Sequence, residues 1–343
     1  MNNLYRRVTL GVAAVALMAP ASFGVANAQE DITVAVPNPS ALTWAPLWVA
    51  IGEGYFEEEG LEISVEAVDG SAATLQSMAA GQAQIGAPGP GPVLAAKSRG
   101  EPFVFIYNLY PKSLFGLVVT EESDYQQPAD LIGETIGVGT ADGAEVAFVR
   151  TILDDAGMEE GDDFEFLPVG DGGMATAAFT RADIEAYAAA VSDAAILNAR
   201  GMSVREITPE EYLAYFGNGF ATTEDYLDSN PDVIEGFGRA LARGTEFMLD
   251  DANRETVLDH TTAGNPQEGE DREFAGALLD AVSERMTPTD AYADEGWGYM
   301  PPEHWELWQD SQVAAGALDA PLDDLQSVYT NDYVEVWNEG LAE

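Results

Sequence analysis

Residues 32–87 read, in succession, ITVAVP, NPSALTWAPLWVAIGEGYFEEEG, LEISVEAV, DGSAATLQSMAAG and QAQIGA. The run 32–36 is short, apolar and β-branched, as a buried strand is. Residues 44–51 place apolar side chains at helical spacing and stop at Gly52 and Gly54. Leu61, Ile63, Val65 and Ala67 alternate with polar neighbours, the pattern of a half-buried strand. Residues 71–80 form a small-residue helix closed by Gly81, and Ile85 sits in a third strand. The succession β-α-β-α-β predicts an α/β fold with a mostly parallel sheet and crossover helices.

Upstream, the chain opens MNNLYRRVTLGVAAVALMAPASFGVANAQE. Arg6 and Arg7 precede an apolar run over 8–18, and Ala26-Asn27-Ala28 is an A-x-A cleavage site. Residues 1–28 are therefore expected to be a secretory signal peptide, cleaved after Ala28, that directs the protein to the periplasm. The apolar run is shorter than the ~20 residues of a spanning helix. No cysteine is present, so neither a lipid-anchored cysteine nor a disulfide framework is available.

Removing residues 1–28 from the 343 leaves 315, a length that suits two domains. It also leaves 12 basic against 60 acidic residues, a net charge near −48. Such a surface repels nucleic acid and anionic lipid, which excludes both as expected partners. The acidity serves either solubility or life in a salty medium, where screening weakens self-repulsion. A monomer with a small-molecule ligand and no cofactor is expected.

Downstream, 103–107 and 114–120 read as strands, then 135–138, a helix over 144–156, and strands at 164–169 and 184–190. The segment VDGSAATLQSMAAGQAQIGA (68–87) matches VGDGGMATAAFTRADIEAYA (169–188) at an offset of about one hundred residues. That offset exceeds a solenoid period and fits two similar α/β domains. FGNGFAT (216–222) is a candidate return strand. Residues 231–250 are helical, with Asn230 as N-cap and Pro231 at the first helical position. The remainder is helical, acidic and loop-rich. Most of its aromatics, Trp297, Tyr299, Trp305, Trp308, Tyr329, Tyr333 and Trp337, are expected to be core or packing residues.

APLWVAIGEGYFEEEGLEISVE, GSAATLQSMAAGQAQIGA, the strand IYN and LIGETIGV resemble the NMT1/THI5-like group of periplasmic solute-binding proteins. That group includes sulfonate, nitrate, riboflavin and thiamine-pyrimidine binders of ABC importers. The resemblance covers about residues 31–250. It implies a two-lobe, type 2 binding fold with a two-strand hinge, and the permease subunits of an ABC transporter as partners. Lobe one would comprise 29–110 plus 220–343 and lobe two 111–219, with crossings near 110–116 and 217–221. Ala182 and Glu185 stand where the group usually has Gly and Asp.

A parallel α/β sheet opens its ligand crevice at the carboxyl ends of its strands, beside helix N-termini. The turns 37–44, 69–72, 88–91, 139–143 and 170–174 occupy such places. Backbone N–H groups there can hold a polar group without a charged side chain. The candidates are Ser71, Ala72 and Gly89 in lobe one and Gly172, Gly173 and Met174 in lobe two. Each glycine either binds or only turns the chain. Trp44 either stacks on a planar ligand or packs in the core. Asn108 and Tyr110 end a strand at the expected hinge, and Ser192 follows the strand of lobe two. Asp142 either accepts an N–H from the ligand or stabilises the helix it opens. Trp44, Tyr110 and Asp142 together suggest a planar, neutral or weakly cationic ligand such as an amino-substituted heterocycle, clamped by Trp44 from lobe one and Asp142 from lobe two. The competing ligand is an anion such as a sulfonate on the Ser71, Gly172 and Gly173 amides.

Enzyme readings are weak. His260 and His304 are the only histidines, without a nucleophile elbow or a zinc spacing. The pyrimidine synthase relatives of the group use a His and a Cys-rich motif. A chain without cysteine does not carry that activity over. A secreted enzyme or sensor reusing the fold is the alternative to a binding protein.

Overall fold

The computed structural model describes residues 29–139, 141, 144–170, 172–314 and 316–341. The proposed signal peptide and Asp142 lie outside them. Lobe one starts with β1 (Glu30–Val36), α1 (Ala45–Gly52), α2 (Tyr55–Glu58), β2 (Leu61–Ala67), α3 (Gly70–Ala79), β3 (Ile85–Gly86), α4 (Pro90–Ser98) and β4 (Phe103–Tyr107). The chain then crosses to β5 (Phe115–Thr120), β6 (Thr135–Val138), α5 (Ala144–Asp155), β7 (Glu165–Pro168), α6 (Gly172–Arg181), β8 (Ala186–Ala190), α7 (Val191–Ala199) and β9 (Val204–Glu206). It returns through β10 (Phe220–Thr223) to α8 (Glu224–Ser229), α9 (Pro231–Leu249), α10 (Arg254–Gly264), α11 (Arg272–Met286), α12 (Pro302–Ala314) and α13 (Val334–Asn338).

Two mixed, mostly parallel five-stranded sheets result, in the orders β2-β1-β3-β10-β4 and β7-β6-β8-β5-β9. β10 is antiparallel to both of its neighbours, and β5 is antiparallel to β8 and β9. Side chains alternate across β1. Ile32, Val34 and Val36 face a core shared with α1, α9 and α11. Ala35 faces the other side, with Leu75 and Met78 of α3. Each sheet is thus a filling between two helical layers. β2, at the sheet edge, keeps its outward residues exposed, which accounts for its polar alternation.

The internal repeat has a structural counterpart in two helix ends. After α3, Gly81 N–H bonds Met78 O and Gln82 N–H bonds Ser77 O, both at 2.9 Å. After α6, Ala182 N–H bonds Phe179 O at 2.9 Å and Asp183 N–H bonds Ala178 O at 3.0 Å. Both chains turn through the left-handed region, at φ +68° for Gly81 and +54° for Ala182. This is the helix termination that favours glycine. A Cβ there costs about 1–2 kcal/mol, partly offset by glycine's greater freedom in the unfolded chain. Ala182→Gly should therefore raise stability by about 1 kcal/mol, read as a higher urea midpoint. An unchanged or lower midpoint would mean that the turn is unstrained with alanine.

Asn230 precedes α9 and Pro231 sits in its first turn, as the sequence predicts. The Asn230 side chain does not cap α9, however. Its Nδ2 donates to Tyr226 O at 3.1 Å, closing α8 instead. The return strand begins at Phe220, later than the sequence pattern predicts, because 215–219 belong to the crossing. Among the described residues no helix is long and apolar enough to cross a membrane.

Candidate ligand-binding cleft

The two lobes are joined by residues 108–114 and 215–219, which run antiparallel. Gly217 N–H donates to Tyr110 O at 2.8 Å and Tyr110 N–H to Asn218 O at 3.2 Å. Ser113 N–H donates to Leu213 O at 3.0 Å. Tyr110 is fully buried, and its hydroxyl donates to Thr43 O at 2.5 Å. Burial, with the Glu268 carboxylate nearby, holds its phenol well above the ordinary range. Tyr110 is thus a pin of the crossing and presents no free edge to a ligand.

Beside the crossing, the lobes enclose a cavity of about 340 Å³. That lies within the range of small-molecule sites, roughly 300–1,000 Å³. Lobe one contributes Ser71 in the first turn of α3, the Gly89–Pro92 turn into α4, and Trp308 and Gln312 on one face of α12, and the crossing contributes Asn218. Lobe two contributes Phe115 at the start of β5, Phe148 and Thr151 on α5, and Tyr212 and Tyr215. Positions three or four apart share a helix face, which explains the pairs 148/151 and 308/312. Tyr212 lies in a 3₁₀ turn and Tyr215 follows it, so side chains three apart eclipse. Their rings stack accordingly, 6.0 Å apart and 11° from parallel.

The aromatic wall is continuous. Phe148 meets Tyr212 and Tyr215 edge-on at 6.4 and 6.1 Å and Phe115 at 6.2 Å. Tyr215 meets Trp308 edge-on at 5.4 Å and so reaches across from lobe two to lobe one. Trp308 Nε1–H donates to Phe216 O at 3.1 Å, which fixes the indole. Tyr212 donates its hydroxyl to Asp155. Burial and that hydrogen bond push its phenol far above the ordinary value. Burial first, then the Asp155 and Asp310 charges, also raise Tyr215. Both phenols are therefore neutral at physiological pH. No Asp, Glu, Lys, Arg or His lines the cavity among the described residues.

The sequence-predicted residues divide. Ser71 and Gly89 line the cavity. Trp44 does not: it is 1% exposed, packed against Phe220, with its Nε1–H donated to Asn38 Oδ1 at 3.3 Å. A side chain so buried offers no face for stacking, and core packing is the reading that fits. Asn108 is also buried, its Nδ2 donating to Tyr299 O at 3.1 Å, away from the cavity. Ala72 is exposed on α3. Gly172, Gly173 and Met174 form the first turn of α6 outside the cavity. Gly173 makes room for the Arg200 guanidinium, and Met174 is 65% exposed. Ser192 lies in the first turn of α7, where Asp193 Oδ2 accepts the Ala190 N–H at 3.1 Å. The aromatic wall was not predicted. The cluster Tyr212, Tyr215 and Phe216, directly before a glycine-rich crossing, is the signal that could have found it.

On the opposite face of β5 the lobes already touch. α7 packs on α11, and Ala195 joins the core of lobe one. The Arg285 guanidinium reaches Glu206 of β9 at 2.5 Å.

The family profile described as NMT1/THI5 like matches residues 42–254. The riboflavin-binding protein RibY of Chloroflexus aurantiacus is 26% identical over 92% of this chain and 90% of its own length. The formylaminopyrimidine-binding protein of Halalkalibacterium halodurans is 26% identical over 75% of this chain and 81% of its own. Among solved structures, the periplasmic aliphatic sulphonate binding protein SsuA of Escherichia coli superposes with a TM-score of 0.69. It is 16% identical, covering 88% of this chain and 92% of SsuA.

Proposed function

The chain belongs to the NMT1/THI5-like family, and from that premise we propose that it is the extracytoplasmic solute-binding component of an ABC-type importer. Its ligand is a neutral, planar heterocycle held between lobes 29–110 plus 220–343 and 111–219, which close by a hinge at the two crossings. The observation that carries this reading is the cavity wall. In a chain with 60 acidic residues, no ionised side chain lines the cavity among the described residues, and the rings of Phe148, Tyr212, Tyr215 and Trp308 do. Flat rings bind there by stacking and burial, without paired charge. Two relatives named for heterocycles, riboflavin and formylaminopyrimidine, support the same class.

The competing reading is an anion such as a sulfonate or nitrate. Its best seats would be the N-termini of α3 and α4. At α4, Pro90 and Pro92 supply no N–H, and the Gly89 N–H is already donated to Ser71 Oγ at 3.1 Å. At α3, the Gly70 N–H is donated to Pro37 O at 2.9 Å. The α4 terminus therefore lacks a row of free amides, whereas at α3 the Ser71 and Ala72 N–H groups have no acceptor among the described residues and are the seat an anion would use. A secreted enzyme reusing the fold would need a reactive group at the cavity, and among the described residues the polar side chains of the lining are hydroxyls, amides and the Trp308 indole.

Native mass spectrometry of the freshly purified protein tests the proposal. A retained neutral compound that absorbs in the near ultraviolet, at one per chain, is the expected result. A retained sulfonate or other anion would overturn it.

A further inference from the structure

The cavity has one polar corner, around Gly89, and its hydrogen-bonding roles are fixed by the surroundings. Asn218 donates its Nδ2 to Ala87 O at 2.9 Å. A carbonyl only accepts, so the amide group cannot be flipped, and Oδ1 is left as an acceptor. Ser71 Oγ accepts the Gly89 N–H at 3.1 Å, which leaves its hydroxyl hydrogen to donate. Neither Asn218 Oδ1 nor the Ser71 hydroxyl hydrogen has a partner of its own among the described residues. A Cβ built on Gly89 would lie 3.8 Å from Ser71 Oγ and 4.0 Å from Asn218 Oδ1. Gly89 therefore sits between a donor and an acceptor and keeps the space between them open. Gln312, with both roles available, lies nearby against Gly91.

Resting on the solute-binding reading above, we propose that Ser71 and Asn218 read the edge of the ligand ring, selecting an N–H beside a carbonyl or ring nitrogen. Asn218 Oδ1 accepts the N–H, and Ser71 donates to the neighbouring acceptor. The aromatic wall recognises flatness, and this corner recognises the edge. A ring whose edge nitrogen is alkylated leaves Asn218 Oδ1 without a donor and meets it with a methyl group. Specificity of this kind is strong because a polar group left unpaired in a closed site is costly.

The test is calorimetric titration of the wild-type protein with two matched probe pairs. One is riboflavin and N3-methylriboflavin. The other is 4-amino-2-methylpyrimidine and its 4-dimethylamino analogue. For whichever parent binds, the methylated partner should bind roughly tenfold to a hundredfold more weakly. Ser71→Ala should weaken the parent by roughly threefold to tenfold. Gly89→Ala is a second variant that the fold tolerates, since φ is −77° and no atom lies closer than 3.8 Å to the new methyl. It should weaken the parent by at least roughly tenfold while melting as wild type does. Equal binding of parent and methylated partner would overturn the edge reading and leave the solute-binding reading standing. Binding of neither parent would overturn both.

Discussion

Truncating Tyr215 to Ala is expected to weaken capture of a planar heterocycle by roughly thirtyfold to a hundredfold. Tyr215 is the ring that joins the two walls. It stacks beside Tyr212, meets Phe148 edge-on, and touches Trp308 of the other lobe at 5.4 Å. Stacking contributes about 0.5–1.5 kcal/mol beyond area burial. Covering roughly 60 Å² of ring face adds about 1.5 kcal/mol at 25 cal/mol per Å². Together these give about 2–3 kcal/mol, and ~1.4 kcal/mol is a factor of ten. Tyr215→Phe keeps the ring and should bind within about threefold of wild type. Titration with riboflavin, followed through the fluorescence of Trp308 and its neighbours, reads both variants. If Tyr215→Ala binds as wild type does, the rings do not touch the ligand and the wall is merely structural.

Gly219→Ala should be far more damaging to the fold than any other glycine substitution near the cleft. Its Cβ would lie 2.1 Å from the carbonyl oxygen of Tyr107 and 2.4–2.6 Å from the Phe105 ring. The obstacle is backbone, so no rotamer relieves it. Tyr107 is the residue of β4 that pairs with Phe220 at the start of β10, beside a register shift between Phe220 and Ala221. Making room means pulling β10 away from β4 where the chain re-enters lobe one. Overpacking costs about 1–3 kcal/mol even where side chains can move. We therefore expect more than ~3 kcal/mol, a loss of at least about 4 °C in Tm for a protein of this length. Differential scanning calorimetry against wild type and Gly89→Ala decides the matter. A wild-type Tm for Gly219→Ala would mean that the two backbones do not approach so closely in solution.

Much of the architecture was legible because it rests on local periodicity. The β-branched run at 32–36, the alternation in 61–67 and the small-residue helix before Gly81 each became the element that their spacing predicts. The repeat between 68–87 and 169–188 was legible for the same reason, and it persists in the matching helix ends at Gly81 and Ala182. Ser71 and Gly89 line the cavity because strand-end turns in an α/β fold face the crevice whatever the ligand. Trp44 misled because a Trp at a helix start looks alike in sequence whether exposed or buried. Its burial depends on Asn38 Oδ1 satisfying the indole N–H and on Phe220, distant in sequence, closing over it. The aromatic wall was illegible because its rings come from β5, α5, the turn at 212–215 and α12. Only the mutual placement of the lobes brings them together, and no periodicity records that placement.

The central claim is that the cleft captures a flat, uncharged ring. Isothermal titration of the purified protein with riboflavin, 4-amino-2-methylpyrimidine, methanesulfonate and nitrate tests it most directly. The account predicts saturable one-to-one binding of at least one of the two heterocycles and no heat from either anion. Tight binding of methanesulfonate or nitrate, with neither heterocycle bound, would contradict it.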